Sequence, residues 1–169
     1  MPRLLAVAKS RTATEVAELA ARLQALGHAA AIGENYVQEA QGKQAELAGH
    51  QIEWHLIGHL QSNKAAQAAA MFDWVQTVDR AKLVTALARH RPAGAPPLQV
   101  LLQVNIDDEA SKHGCAPDQL DALAAAVARE PGLQLRGLMA IPAPHAEEAA
   151  RRDAFARMRG LFDAVARTH

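Results

Sequence analysis

The 169-residue chain reads as an α/β protein with a parallel sheet, and three observations carry that expectation. Short apolar runs alternate six times with stretches of helical periodicity. No β-hairpin signal joins one strand to the next, so each strand is expected to return through a right-handed helical crossover. No Gly-x-Gly-x-x-Gly follows the first strand, so a dinucleotide site is not supported. An open doubly wound sheet and a (β/α) TIM-type barrel both satisfy this pattern, and periodicity alone does not separate them. The length suits one domain with one core, taken as residues 1–169.

The elements follow in order. Leu4–Lys9 is the first strand. Thr12-Ala-Thr-Glu15 forms a capping box for a helix whose stripe is Val16, Leu19, Ala20, Leu23 and Leu26, with Gly27 as its stop. Ala29–Ile32 is a short strand, followed by Gly33-Glu-Asn-Tyr and a polar helix to about Ala48. Ile52–Ile57 is a strand closed by Gly58, and Ser62 is expected to cap an alanine-rich helix. Trp74–Val78 is the fourth strand, and Asp79 is expected to cap a helix that ends before Pro92. Leu98–Ile106 is the strongest strand, and Pro117 suits the first position of the next helix. Leu133–Ile141 is the sixth strand. Phe155, Met158, Phe162 and Val165 mark the buried face of a last helix.

Composition narrows the function. Lys plus Arg and Asp plus Glu number 18 each, so the chain has no global attraction for nucleic acid or an anionic membrane. No apolar run approaches the roughly 20 residues of a membrane span, and the opening segment lacks the form of a secretory signal. Cys115 is the only cysteine, which suits a reducing, cytoplasmic setting.

Ligands of parallel α/β folds sit at the carboxyl ends of the strands. Alternation along a strand puts Lys9 with Leu5 and Val7, and Asn105 with Gln99, Leu101 and Gln103. It leaves Leu98, Val100, Leu102, Val104 and Ile106 for the helices, and makes one class of Leu133, Leu135, Gly137 and Met139. In a barrel, Lys9, Asn35, His55, Asn105 and Met139 would meet at one opening. A desolvated lysine there loses its proton more readily and becomes a nucleophile able to form a Schiff base. On spacing alone, a lysine that snorkels out of the strand end is the simpler reading. His55 and His59 have the spacing of a helical zinc pair, but Ile57-Gly58 sets them across a strand end with no acidic or cysteine partner, so no metal is expected. Arg89-His-Arg91 reads as a charged helix end and Cys115 as an incidental loop thiol. Glu147-Glu148 with Arg151-Arg152 suggests salt pairs on a solvated face.

LLAVAKS (Leu4–Ser10), GENYVQE (Gly33–Glu39), WHLIGHLQSNK (Trp54–Lys64), TVD (Thr77–Asp79), QVNIDDEASKHG (Gln103–Gly114) and RGLMAIP (Arg136–Pro142) stand in the order found in one family. In these motifs the sequence resembles the pyridoxal phosphate homeostasis proteins, single-domain relatives of the alanine racemase barrel. The resemblance implies a (β/α) barrel of the alanine racemase N-terminal kind, with about six of its eight βα units here. It implies pyridoxal 5′-phosphate as cofactor, held as a Schiff base on Lys9, with Asn35, His55, Asn105 and Met139 around it. It also implies a role in vitamin B6 balance without catalytic turnover, with cofactor-dependent apoenzymes as partners. An amino-acid racemase is the enzymatic alternative, although the only tyrosine, Tyr36, lies beside Asn35.

The sequence departs from the family pattern in its start close to the lysine strand, in a longer Lys9–Gly33 stretch and in Ile32 before GEN. Nothing after Pro142 resembles the family's last two strands, which carry most of its phosphate cup. The expectation is a barrel with strands one and six as open edges, existing as a monomer or an edge-paired homodimer, or as a remnant that no longer retains the cofactor.

Overall fold

The computed structural model describes residues 3–109, 112–144 and 146–169. Its strands β1 (Ala6–Val7), β2 (Ala31–Glu34), β3 (Glu53–Leu56), β4 (Trp74–Val78), β5 (Leu98–Gln103) and β6 (Leu133–Met139) form one sheet. They lie side by side in chain order, and every neighbouring pair is parallel. A doubly wound sheet reverses its strand order at a switch point. This sheet does not, so it is the wall of a (β/α) barrel with six βα units. Among the described residues β1 and β6 are its two edges.

The helices are α1 (Ala13–Ala25), α2 (Val37–Glu46), α3 (Ala65–Met71), α4 (Ala81–His90), α5 (Leu120–Ala128) and α6 (Glu148–Thr168). Thr12 and Glu15 complete the expected capping box: the Glu15 amide donates to Thr12 Oγ1 at 3.2 Å and the Thr12 amide to Glu15 Oε2 at 2.8 Å. Two other caps differ from expectation. Ser62 opens a 3₁₀ turn, Ser62–Lys64, instead of capping α3 through its side chain. Asp79 turns to the Arg80 guanidinium, and α4 begins after Arg80 without a side-chain cap. Pro117 likewise opens a 3₁₀ turn before α5.

The outer face of the sheet packs on α1–α5 and holds the core. Leu98, Val100, Leu102, Val104 and Ile106 are all buried there, as alternation predicts. Fully burying such a side chain stabilises by about 1.5–3 kcal/mol. The sixth strand breaks its alternation. Leu133 and Leu135 pair with the outward Leu98 and Val100, but an irregularity follows, after which Gly137 and Met139 pair with the inward Leu101 and Gln103. The expected single class of Leu133, Leu135, Gly137 and Met139 is therefore split at Arg136-Gly137. Gly137 takes φ +142°, a conformation that side chains rarely adopt.

The last helix keeps only half of the expected stripe inward. Ala154 and Val165 are buried and Met158 and Leu161 pack on the core, whereas Phe155 is 63% exposed and Phe162 39%. Met158 and Val165 thus hold the expected face, while Ala154 and Leu161 take the places expected of the two phenylalanines. Arg91 is more than a charged helix end: its guanidinium donates to the carbonyls of Ala69, Phe72 and Pro96 and ties α4 to α3. Arg152 does pair with Glu148, at 2.8 Å on the solvated face.

Candidate functional site at the strand ends

β1 is short because only Ala6 and Val7 register with β2, yet the chain beyond it is tightly held. The Ala8 amide donates to the Gly33 carbonyl at 2.9 Å, and Ala8 is buried on the outer face. Lys9 follows on the opposite side and is exposed. Among the described residues its amine has no hydrogen-bond or ion-pair partner. Ser10 then turns the chain at φ +61°.

A second lysine fixes this turn from behind. Lys43 of α2 donates to the Ala8 carbonyl at 2.7 Å, to Glu34 Oε1 at 2.7 Å and to Glu39 Oε1 at 2.9 Å. Glu39 Oε1 also accepts from the Ser10 amide at 2.6 Å. Glu34 is fully buried and Lys43 nearly so. Burial works against the Lys43 charge, but the two carboxylates outweigh it and hold the pKa above its ordinary value. Burial pushes the Glu34 carboxyl up, and Lys43 draws it back only in part. Removing one member of such a pair strands a charge in the core. The sequence reading missed this cluster. Its one signal was Glu39 and Lys43 four residues apart on a polar helix.

The inner face behind Lys9 mixes polar and apolar groups. Val7, Gly33, His55, Trp74, Gln99 and Gln134 form a continuous row across all six strands. Lys9 and Asn35 each stand two residues beyond this row, nearer the strand ends. His55 is therefore the floor beside the mouth and not its rim. Its Nε2 lies 2.7 Å from Glu53 Oε1, its Nδ1 lies 2.9 Å from Gln76 Nε2, and its ring stacks on Trp74 at 5.2 Å. An amide nitrogen can only donate, so Nδ1 accepts and Nε2 carries the proton to Glu53. Burial lowers the His55 pKa, with Glu53 opposing, and favours this neutral ring. Arg3 donates to the same Glu53 oxygen at 2.7 Å, and the Arg136 guanidinium lies 6.0 Å from the Trp74 ring.

Asn35 borders a cavity of about 320 Å³ whose other walls include Val37, Gly58 and His59. A Cβ on Gly58 would stand 2.1 Å from the Asn35 carbonyl oxygen, so only glycine lets the two strand ends approach. Thr77 holds the Gly58 carbonyl at 2.8 Å. Asn105 and Met139 sit at the ends of β5 and β6, four and five strands along from Lys9. The Asn105 side chain clamps its own loop, donating to the Glu109 carbonyl at 2.9 Å and accepting from the Glu109 amide at 3.2 Å. Met139 is half-buried opposite Gln103, whose buried Oε1 has no partner among the described residues. Cys115 pairs back against Val104, and burial pushes its thiol up to about 11, which suits an inert core residue. Tyr36 is exposed at the start of α2.

The family described as "Alanine racemase, N-terminal domain" matches residues 1–169. This chain belongs to that family. Within it, the chain is 55% identical over 162 residues to the pyridoxal phosphate homeostasis protein of Pseudomonas aeruginosa, covering 94% of this chain and 67% of that protein. The protein of the same name from Escherichia coli K12 is 51% identical over 147 residues, covering 85% of this chain and 61% of that one. The chain thus spans about three fifths to two thirds of the length of these relatives. Among solved structures, PipY of Synechococcus elongatus with PLP bound superposes with a TM-score of 0.82 at 33% identity, covering 98% of this chain and 76% of PipY. Alanine racemase from Corynebacterium glutamicum, 18% identical with a TM-score of 0.61, shares the fold, over 97% of this chain and 46% of its own. None of the described helices is long and apolar enough to cross a membrane.

Proposed function

We propose that this chain binds pyridoxal 5′-phosphate and serves cofactor homeostasis, with Lys9 as the covalent anchor and Asn35, His55, Asn105 and Met139 as further cofactor contacts. The observation that carries the reading is the placement of Lys9. Its amine is accessible on the inner face, at a strand end that a second, buried lysine holds in place. The relatives named for pyridoxal phosphate homeostasis and the PLP-bound PipY support the same reading. When bound, the cofactor supplies a carbonyl group that reacts with a lysine amine.

The residues present fit the carbonyl end and the ring of that group. Lys9 offers a nucleophile, Val7 an exposed apolar step beside it, and the Trp74-stacked His55 a flat floor. His55, with both ring nitrogens engaged, is suited to orienting and not to carrying protons. Racemisation needs an acid–base group on each side of the reacting carbon, and Tyr36 is exposed at the start of α2. The protein is thus a carrier without turnover, acting as one cofactor-binding unit in the cytoplasm and delivering to cofactor-dependent apoenzymes.

Mixing the protein with pyridoxal 5′-phosphate should produce the visible absorbance of lysine-bound cofactor. Lys9→Ala should lose that band, and an unchanged band in the variant overturns the assignment. Incubation of the loaded protein with L-alanine should yield no D-alanine; its appearance overturns the carrier reading.

A further inference from the structure

We propose that His59, Asp79 and His113 together bind one divalent transition-metal cation of the zinc type. The three residues come from different connections: His59 follows β3, Asp79 follows β4 and His113 lies in the loop after β5. Each offers one ligand atom, and these atoms all lie within 4.8 Å of one another. The sequence reading set His59 beside His55 and found no acidic partner. The fold turns His55 into the sheet face and gives His59 a carboxylate and a second imidazole from distant segments.

The local chemistry is that of a cation site. The imidazoles of His59 and His113 stack with centroids 3.6 Å apart and planes within 13°, an arrangement that two imidazolium rings would oppose. The Asp79 carboxylate is only 10% exposed. Its Oδ1 accepts from Arg80, and that guanidinium is fixed in turn by the Leu60 carbonyl at 2.9 Å and Ser62 Oγ at 3.3 Å. Its Oδ2 faces His59 Nδ1 at 4.0 Å. A carboxylate oriented by an outer hydrogen bond is the usual support of a metal ligand. Oδ2 is the carboxylate oxygen left to the cluster, since Arg80 engages the other.

Two histidines and one carboxylate are a ligand set for zinc and its neighbours, leaving a position for an exchangeable ligand. Ligand atoms around tetrahedral zinc lie about 3.3 Å apart. Both imidazoles are exposed, and binding turns them out of their stack onto a common point. The Lys112 charge next to His113 is engaged by Glu109 at 2.7 Å.

Calorimetric titration of untagged, chelator-stripped protein with Zn²⁺, without pyridoxal phosphate, tests the site independently of the proposed function. One cation per chain should bind. His59→Ala and His113→Ala should each weaken binding by at least about tenfold, as losses in a metal's surroundings do. His90→Ala, an exposed histidine on α4, should leave it unchanged. Co²⁺ in place of Zn²⁺ should give visible ligand-field absorption that both variants lose. Absence of saturable binding, or affinity that survives either substitution, overturns the site.

Discussion

On the outer face of the sheet, Lys43 is 6% exposed and lies 2.7 Å from Glu34. On the inner face, Lys9 is exposed and has no partner among the described residues, although Lys43 grips the carbonyl just before it. The same side chain thus takes two forms of chemistry a few ångströms of backbone apart. Two carboxylates hold the Lys43 amine protonated, where it can only position. Lys9 carries no such partner, and its exposed amine is open to a ligand. The wider contrast runs the same way. The outer face is aliphatic around one ion cluster, while the inner face mixes polar, aromatic and apolar groups, and function is concentrated where the packing is less complete.

Breaking the outer cluster should have the largest effect. Lys43→Met leaves Glu34 buried without its counter-ion and should cost about 3–5 kcal/mol in denaturant unfolding. It should also weaken cofactor labelling of Lys9 by releasing the Ala8 carbonyl. Leu102→Ala, on the same face, should cost about 2–5 kcal/mol. The half-exposed Leu101 on the inner face should cost clearly less on truncation. The two faces should also respond to opposite ends of the pH scale. The Lys43 pKa is raised from 10.5, so its contribution is intact below that value and lost as pH rises through the folded one. The His55 pKa is lowered from 6.5, so its contribution is intact above that value and falls away as pH drops through the folded one. Thermal unfolding across pH, with His55→Gln as control, should show the acid limb flatten in the variant alone. Thr12→Ala removes the α1 cap, away from both faces, and should cost about 1 kcal/mol. Phe155→Ser, at an exposed position, should change unfolding stability by less than about 0.5 kcal/mol.

How legible this was in the sequence varied with the range of the forces involved. The outer face of β5 and the Thr12 capping box follow from local alternation and spacing, and both could be read directly. The barrel order of the strands could not, because periodicity carries no record of which strand lies beside which. In β6, the irregularity at Arg136-Gly137 shifts every later side chain to the other face, so parity counted from Leu133 failed. In α6 the two aromatic residues drew the reading to Phe155 and Phe162, while small Ala154 took the buried position. The Lys9 motif was visible, but the Lys43 cluster behind it needed β2 and α2 to fold together. The His59–Asp79–His113 cluster likewise needed three loops to meet.

The central claim is that Lys9, and not the other lysines, carries the cofactor. Borohydride reduction of the protein mixed with pyridoxal 5′-phosphate, followed by proteolysis and mass mapping, tests it most directly. The account predicts one cofactor-sized increment, on the peptide containing Lys9. A label on Lys43, or one spread among other lysines such as Lys64 and Lys82 with Lys9 unmodified, would contradict it.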